Sequence, residues 1–442
     1  MNENNKTNGK VKQRFLLHKA VLRESYRKCL FFLITSSLCL SGSVRAELFN
    51  EEKTASSIID SLENGQAALN FRLRYEDVKQ QEQGAQALTL RSRLSYKTLP
   101  YELFTAFVEF DDVRAIGGDD NYNSGANGQL DDLFIEDPEG TEVNQAWLAY
   151  DIANTLFKYG KQSLILNNQR LLGGDSWRQN EQTFSALSIR NETLNYLRLE
   201  FAQLNRSYSN QAKELASAHQ DINAKLLNLN YRGFWLSDLS IYALWISDAP
   251  DNDRWASSTY GINFSGDLGG DFSIAYQLDF ARQEDAGANP AEYSVSYALF
   301  DLVVGCDDAE VQLGYERLGA ERDGYFVAPL GSHHTFQGLS DQFSGAGLGN
   351  IPGGIQDSYL GFAYPISTAL TSLPMPVKMS VTYHDFYSVK TINGIRHLGE
   401  EWLLKAEFEL ENYQLLLQYA DYHADHFATD ERKFWLSVSA AF

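Results

Sequence analysis

The last ten residues of the chain restrict its possible folds more than any other stretch. From Lys433 to Phe442 apolar and polar side chains largely alternate, and the chain ends on a phenylalanine. Successive side chains of a strand point to opposite faces, so this pattern predicts a β-strand with one apolar face. Chain ends are usually frayed and polar, whereas a membrane β-barrel must pair its last strand with its first. We therefore expect a barrel-closing strand; the alternative is an ordinary sheet protein that ends in a strand.

The first 46 residues predict a secretory signal peptide. A basic region up to Lys28 precedes an apolar run from Cys29 to about Leu40, and Val44-Arg45-Ala46 fits cleavage after Ala46. The apolar run is too short to span a membrane comfortably. We expect residues 1–46 to be removed, residues 47–66 to form a short periplasmic leader and residues 67–442 to form the barrel.

The composition of the mature chain also favours a barrel. Cleavage leaves 28 Lys and Arg against 56 Asp and Glu, a net charge of −28, which argues against nucleic acid as a partner. Cys306 becomes the single cysteine, so no intramolecular disulfide is expected. The chain holds 24 Tyr, 26 Phe and 7 Trp, and the mature part has no apolar run long enough for a membrane-spanning helix.

About 18 segments of roughly ten residues have strand character, from Ala67–Asp77 to Lys433–Phe442, and this length suits tilted membrane strands. The connections alternate between short and long, as periplasmic turns and outer loops should. Only the inner turn Pro365–Pro376 is long for its position. The predicted fold is all-β, a single antiparallel transmembrane β-barrel of about 18 strands. The predicted long outer loops are Asp111–Glu142, Leu166–Gln182, Asn205–Asp221 and Gly319–Ile355.

Four arginines in the first two strands decide which faces look inward. Arg72 and Arg74 alternate with apolar residues, as do Arg91 and Arg93. An arginine that faces lipid at mid-membrane costs about 2–4 kcal/mol, so four on the lipid side are not tolerable. They must point into the lumen. Either they contact solute, or they pair with other charges and only satisfy the wall; we favour solute contact for the cluster.

The same argument assigns faces along most other strands; only Lys158 to Gln162 gives no clear assignment. The residues predicted to face lipid are Leu313, Tyr315, Val381, Tyr383, Trp402, Leu404 and Phe408. The residues predicted to line the lumen are Arg198, Glu200, Gln277, Asp279, Gln312, Glu316, Lys378, His384, Lys405, Glu407 and Glu409.

The outer loop Leu166–Gln182 is rich in amides and contains Arg170 and Arg178. Gly173-Gly174 permits a tight reversal. We expect the loop to fold into the channel and to narrow it, with both arginines at the constriction. The alternative is a cap that lies outside the barrel.

Signals for metals and catalysis are weak. The acidic stretch from Asp119 to Gly125 departs from the EF-hand pattern, so no cofactor is expected beyond loose calcium binding at outer loops. His423, His426 and the pair His333-His334 are interpreted as solvated loop histidines. The sequence shows no nucleophile elbow, phosphate loop or metalloprotease helix, so we expect no enzyme.

The stretch Trp177-Arg-Gln-Asn-Glu-Gln-Thr-Phe184 and six others span nearly the whole mature chain. Together they resemble the alginate export family of outer-membrane porin-like proteins. The resemblance implies a barrel with the counted number of strands and a basic channel for an acidic polysaccharide, although many relatives resemble plain porins. The first of these stretches is the most specific. The others are Glu109-Phe-Asp-Asp-Val-Arg114, Gly117-Gly-Asp-Asp-Asn-Tyr122, Asp137-Pro-Glu-Gly-Thr-Glu-Val-Asn-Gln-Ala-Trp147, Asn168-Gln-Arg170, Tyr383-His-Asp-Phe386 and Tyr419-Ala-Asp-Tyr422.

Three functions follow as hypotheses. The first is a channel in the bacterial outer membrane for passive diffusion of small or oligomeric anionic solutes. The second is a dedicated exporter of an acidic polysaccharide such as alginate. The third is a structural or adhesive barrel with a plugged lumen. The expected partners are outer-membrane lipid and lipopolysaccharide, the barrel assembly machinery through the C-terminal strand, and an anionic small molecule or oligosaccharide.

Overall fold

The computed structural model describes residues 54–442 except 120, 235–236, 250–251, 270–271, 307, 322–323, 346 and 368–375. The predicted signal peptide and the first part of the predicted leader lie outside the described residues. The elements are α1 (Ile58–Glu63), β1 (Gln66–Gln80), β2 (Gln83–Lys97), β3 (Phe104–Ala115), β4 (Gly140–Ile152), β5 (Thr155–Gln162), β6 (Thr183–Asn191), β7 (Leu197–Tyr208), β8 (His219–Phe234), β9 (Ser237–Asp248), β10 (Ser257–Leu268), β11 (Phe272–Asp285), β12 (Ser294–Cys306), β13 (Ala309–Leu318), β14 (Ala320–Glu321), β15 (Gly324–Tyr325), β16 (Ile355–Ile366), β17 (Val377–Ile392), β18 (Ile395–Leu410), β19 (Tyr413–Ala424) and β20 (Glu431–Ala441), with 3₁₀ turns at Ala216–Ala218 and Asp253–Trp255.

Eighteen strands form one closed antiparallel sheet, while β14 and β15 form a separate small hairpin. Strand β1 pairs with β2 on one side and with β20 on the other, from Asn70 opposite Ala441 to Gln80 opposite Glu431. The backbone of Phe442 completes the seam, because Leu69 and Phe442 exchange hydrogen bonds of 2.8 and 2.9 Å. The predicted barrel and its closure by the C-terminal strand are confirmed.

The connections follow the predicted alternation with two exceptions on the outer side. Only residues 81–82 join β1 to β2, and only Asn393-Gly394 join β17 to β18. Asn393 and Gly394 both have positive φ, which tight hairpin turns require. These strands are 15 or 16 residues long and extend beyond the ten or so that cross a bilayer.

The outer surface carries a band of exposed apolar side chains, as a bilayer requires. Leu313, Trp402 and Leu404 belong to it, as predicted from the sequence. The unassigned stretch of β5 is resolved: Tyr159 is exposed on the lipid side, and the ammonium of Lys158 lies 4.6 Å from the Trp147 ring on the inner side. Other members of the band are Leu69, Leu73, Leu94, Leu199, Leu227, Ile241, Phe280, Phe300 and Leu360.

A second apolar surface, which was not predicted from the sequence, lies inside the barrel. On β8 and β9 both faces are apolar: Leu227 and Ile241 meet lipid, while Leu226 and Tyr242 point inward and are buried. Inward side chains of β6 to β9, β11 to β13 and β16 to β19 form one cluster with side chains of two outer loops. Packed apolar side chains therefore occupy this part of the lumen.

Among the described residues no helix is long and apolar enough to cross a membrane.

Candidate functional site

Two outer loops fold into the lumen and meet there. We call residues 163–182 the inserted loop and residues 319–354 the long loop. Leu172 and Leu330 form a parallel bridge, and Gly173 donates its backbone N–H to the Leu330 carbonyl at 2.9 Å. Ser332 donates its backbone N–H to the Gln169 carbonyl, also at 2.9 Å. Backbone hydrogen bonds therefore dock the two loops against each other inside the lumen.

The four arginines of β1 and β2 point inward, and we call them the arginine wall. Arg72, Arg74 and Arg91 are almost completely buried, while Arg93 keeps slight exposure. Arg72 lies directly opposite Arg91 in the strand register, so the two positive charges are neighbours. Such a pair is stable only where surrounding acceptors offset its repulsion and its desolvation.

The inserted loop supplies many of those acceptors. Arg72 donates to the Gln179 amide oxygen at 2.9 Å, to the Ser176 carbonyl at 3.0 Å and to the Arg178 carbonyl. Arg74 donates to the Trp177 carbonyl at 2.7 Å. Three successive carbonyls of the inserted loop are thus held by two side chains of one strand.

Arg93 makes the strongest ion pairs of the wall. It binds both carboxylate oxygens of Asp111, at 2.7 and 2.6 Å, and Glu181 of the inserted loop at 2.6 Å. Burial raises the pKa of the Glu181 carboxyl, but Arg93 and Arg91 outweigh it and lower the pKa to about 2. Glu181 therefore stays ionised at any physiological pH and fixes the base of the inserted loop to the wall.

The two arginines predicted at the constriction lie inside the barrel, and both are paired. Arg178 binds Glu76 of β1 at 2.9 Å and lies 3.6 Å from Asp341 of the long loop. Arg170 binds Glu316 of β13 at 3.0 Å and donates to the Gly349 carbonyl at 3.0 Å. Each arginine thus ties the inserted loop both to a strand and to the long loop.

An aromatic contact joins the two loops next to Arg178. The rings of Trp177 and His334 stack with centroids 4.1 Å apart, and Trp435 of β20 meets both edge-on. His334 also contacts the Asp341 carboxylate at 2.9 Å. The interpretation of His334 as a solvated histidine was wrong, because the loop that carries it is buried in the lumen. His423 and His426 are exposed, as predicted.

The wall formed by β11 to β13 and β16 to β18 carries buried acids that point inward. Asp279 accepts hydrogen bonds from Tyr242 and Asn263, Asp357 contacts His384, and Glu401 accepts from the backbone of the long loop. Asp279 and Glu316 were predicted to line the lumen, but the series as a whole was not, although period-two alternation marks these positions. The inward acids of this wall are Asp279, Asp301, Glu316, Asp357 and Glu401.

Five other residues predicted to line the lumen lie nearer the periplasmic ends of their strands and are less buried. Each of these five has a polar partner, and their contact with solute stays a prediction. The pairs are Arg198 with Glu192 at 2.6 Å, Glu200 with Asn228 at 3.0 Å, Lys378 with Glu310 at 2.8 Å and Lys405 with Glu407 at 2.8 Å.

No set of three or more His, Cys, Asp or Glu side chains in the described part of the chain is arranged to hold a metal. The absence of a cofactor stays a prediction, with loose calcium binding at the acidic outer loops as the alternative.

Comparison with solved structures gives the same architecture. The chain is 15% identical to the outer membrane protein OpdK of Pseudomonas aeruginosa, with a TM-score of 0.65, over 86% of this chain and 99% of that one. OccAB2 of Acinetobacter baumannii is 11% identical with a TM-score of 0.68, over 86% and 98% of the two chains. OpdK in complex with vanillate is 15% identical with a TM-score of 0.66, over 86% and 99%.

The fold is that of an 18-stranded outer-membrane porin. The closed sheet and its apolar outer band place the protein in the outer membrane. No family model and no curated protein matches the sequence. The comparisons support the porin-like barrel but not the alginate export family that the sequence stretches resembled.

Proposed function

We propose that the protein is a porin through which small anionic solutes diffuse passively across the outer membrane. The observation that carries the proposal is the inserted loop, which an arginine-bearing wall holds inside a closed barrel. A loop in this position narrows the path for solutes, and the charges beside it set which solutes pass. The complex of the similar OpdK contains vanillate, a small carboxylate, and supports the same solute class.

Arg72 gives the anion preference a physical basis. The acceptors that it contacts are a side-chain amide and two backbone carbonyls, and none of these is charged. A carboxylate adds the Coulomb attraction between opposite charges, and a bidentate geometry, that a neutral amide or carbonyl oxygen does not offer to a guanidinium. An anionic solute can therefore compete with the inserted loop for Arg72 when the loop moves.

A second candidate is the plugged structural barrel. The observation that favours it is the apolar cluster inside the lumen, where the inserted loop and the long loop pack against inward side chains of β6 to β9, β11 to β13 and β16 to β19. Export of an acidic polysaccharide is the less supported alternative, because a polymer requires a continuous path past both loops.

Currents across planar bilayers test these functions. A porin gives stepwise currents whose reversal potential in a salt gradient reports anion preference, whereas a plugged barrel gives none. Cation preference would contradict the anionic solute class, and block by uronate oligomers but not by monomeric carboxylates would favour export. Heat-modifiable migration on gels first confirms that each preparation is folded.

The Arg170→Ala, Arg178→Ala double variant tests the inserted loop. It removes two buried ion pairs of the loop, and breaking a buried pair costs roughly 3–5 kcal/mol. We expect higher conductance and weaker anion preference. The Arg114→Ala, Arg206→Ala double variant is the control, because both arginines form exposed pairs. Unchanged conductance and selectivity in the Arg170→Ala, Arg178→Ala variant would show that the inserted loop does not control the passage of solutes.

A further inference from the structure

The short helix α1 lies on the outside of the barrel wall. Leu94 and Tyr96 of β2 share a face, since side chains of a strand alternate, and Leu94 belongs to the exposed apolar band. Tyr96 therefore points towards lipid. Its hydroxyl donates a hydrogen bond to the carbonyl of Leu62 in α1. The helix must then lie beside the lipid-facing surface rather than beneath the lumen.

Backbone contacts fix α1 at the periplasmic end of the wall. The Leu99 N–H donates to the Ser61 carbonyl at 3.1 Å, and the Ser61 hydroxyl donates back to the Leu99 carbonyl. The Ala55 N–H donates to the Pro100 carbonyl at 2.8 Å. The residues that receive the helix form the turn between β2 and β3, on the side where the chain terminus Phe442 also lies. These hydrogen bonds therefore fix the orientation of α1 relative to the turn between β2 and β3.

The free face of α1 is apolar. Ile58, Ile59 and Leu62 are 63%, 67% and 55% exposed, and their spacing places them on one side of a helix. The polar side is satisfied internally, because Asp60 accepts from the Ser56 N–H at 2.7 Å and from the Asn64 amide at 2.8 Å. Three large apolar side chains with such exposure on one turn are costly in water.

The apolar face of α1 continues the lipid-facing band. Leu69 and Leu94 lie opposite each other, two residues along their strands from Ala67 and Tyr96, and are exposed. Leu103 and Phe104 are exposed where β3 begins. Phe104 packs against Tyr150 with ring centroids 4.8 Å apart, which extends the same surface to β4. A partner that covers α1 must therefore also cover a surface that already meets acyl chains.

We propose that α1 is an interfacial helix that inserts Ile58, Ile59 and Leu62 into the periplasmic leaflet of the outer membrane. Its occupant is phospholipid, with acyl chains against the apolar face and headgroups beside the Asp60 side. The helix fixes the depth of the barrel at the periplasmic interface, next to the seam that β1 and β20 close. This role is independent of which solute the lumen admits.

Site-directed spin labelling tests the proposal in the mature chain, reconstituted in phospholipid vesicles. Cys306 is first replaced by serine, and single labels are placed at Ile59→Cys, Leu94→Cys and Leu130→Cys. Leu94 is the control for lipid. Leu130, 77% exposed in an outer loop, is the control for water. Oxygen concentrates in lipid, while a nickel chelate stays in water, so collision with each reagent reports the surroundings of a label.

We expect the Ile59 label to match Leu94, with oxygen access dominant and nickel access small. A label at Ile59 that behaves like Leu130, or one that neither reagent reaches, would overturn the proposal, since it would place the face in water or against protein. The oxygen signal of the Leu94 label is established first, so that the barrel is known to lie in the bilayer before the Ile59 label is measured. A phospholipid with a photoreactive acyl chain gives a second readout, because its adduct must map to the peptide that contains α1.

Discussion

Neighbouring charges, and not residue type alone, decide the protonation state of the titratable side chains in the loops. Asp175 and Glu181 both belong to the inserted loop, yet their carboxyl groups shift in opposite directions. Arginines of the wall lower the pKa of Glu181 to about 2. Burial and the adjacent Asp341 raise the pKa of Asp175 to about 6, although Arg178 acts against them. Near neutral pH the Glu181 carboxylate therefore stabilises the docked loop, whereas the Asp175 carboxylate opposes docking.

Asp175→Asn should therefore stabilise the docked loops near neutral pH. The pKa of Asp175 is higher in the docked loop than in an unfolded chain, where it is about 3.9. Its favourable contribution is complete at low pH and is lost as the pH rises through 6. We expect a higher melting temperature and quieter channel currents for the variant at pH 7.5, with the difference vanishing near pH 4. His333 and His334 titrate in both proteins and cancel in the comparison. A difference in melting temperature between the two proteins that stays constant across this pH range would contradict the raised pKa of Asp175.

At the scale of elements, the inserted loop and the long loop act as one plug-like layer built from backbone contacts. Gly331 lies so close to the inserted loop that an added Cβ would meet the Arg170 carbonyl oxygen at 2.1 Å. The neighbouring bridge between Leu172 and Leu330 leaves little room for the backbone to yield. The absence of a side chain at this position therefore sets how closely the loops dock.

Gly331→Ala should separate the loops. Overpacking of this kind costs about 1–3 kcal/mol, and the strain can be relieved by moving either loop off the other. We expect larger or noisier single-channel currents with the barrel itself intact on heat-modifiable gels. Gly140→Ala is the matched control, because an added Cβ there meets no atom within 4 Å. Identical currents in the two variants would show that the docked state does not control conduction.

At the scale of the whole molecule, the barrel separates two apolar surfaces that alternate along the same strands. One meets lipid and the other packs the loops inside the lumen. Because both are apolar over β6 to β9, the direction of a side chain there follows from the register of the closed sheet. On β17 to β19 the inner face is more polar, so the direction of each side chain can be predicted from the sequence.

Leu404→Arg tests this separation. Leu404 is exposed on the lipid side of β18, while its neighbour Leu403 faces the lumen. An arginine on the lipid side costs about 2–4 kcal/mol near the bilayer midplane and less towards the interfaces. We expect the variant to refold poorly into vesicles, as measured by its denaturant midpoint. Leu403→Arg, the control on the inner side, should lower the denaturant midpoint much less. Equal decreases in the midpoint would contradict the conclusion that only the Leu404 face contacts lipid.

The sequence by itself determined the barrel. The apolar and polar alternation, the segment lengths and the aromatic chain end are local properties, and a bilayer permits few structures that satisfy them. The inward direction of Arg72 and Arg74 was equally determined, because the alternative is too costly in lipid. Only the tertiary structure decided what those arginines bind. Their partners lie about a hundred residues away in a loop whose sequence has no periodicity, so its path into the lumen depends on carbonyls and side chains that meet only after the sheet has closed.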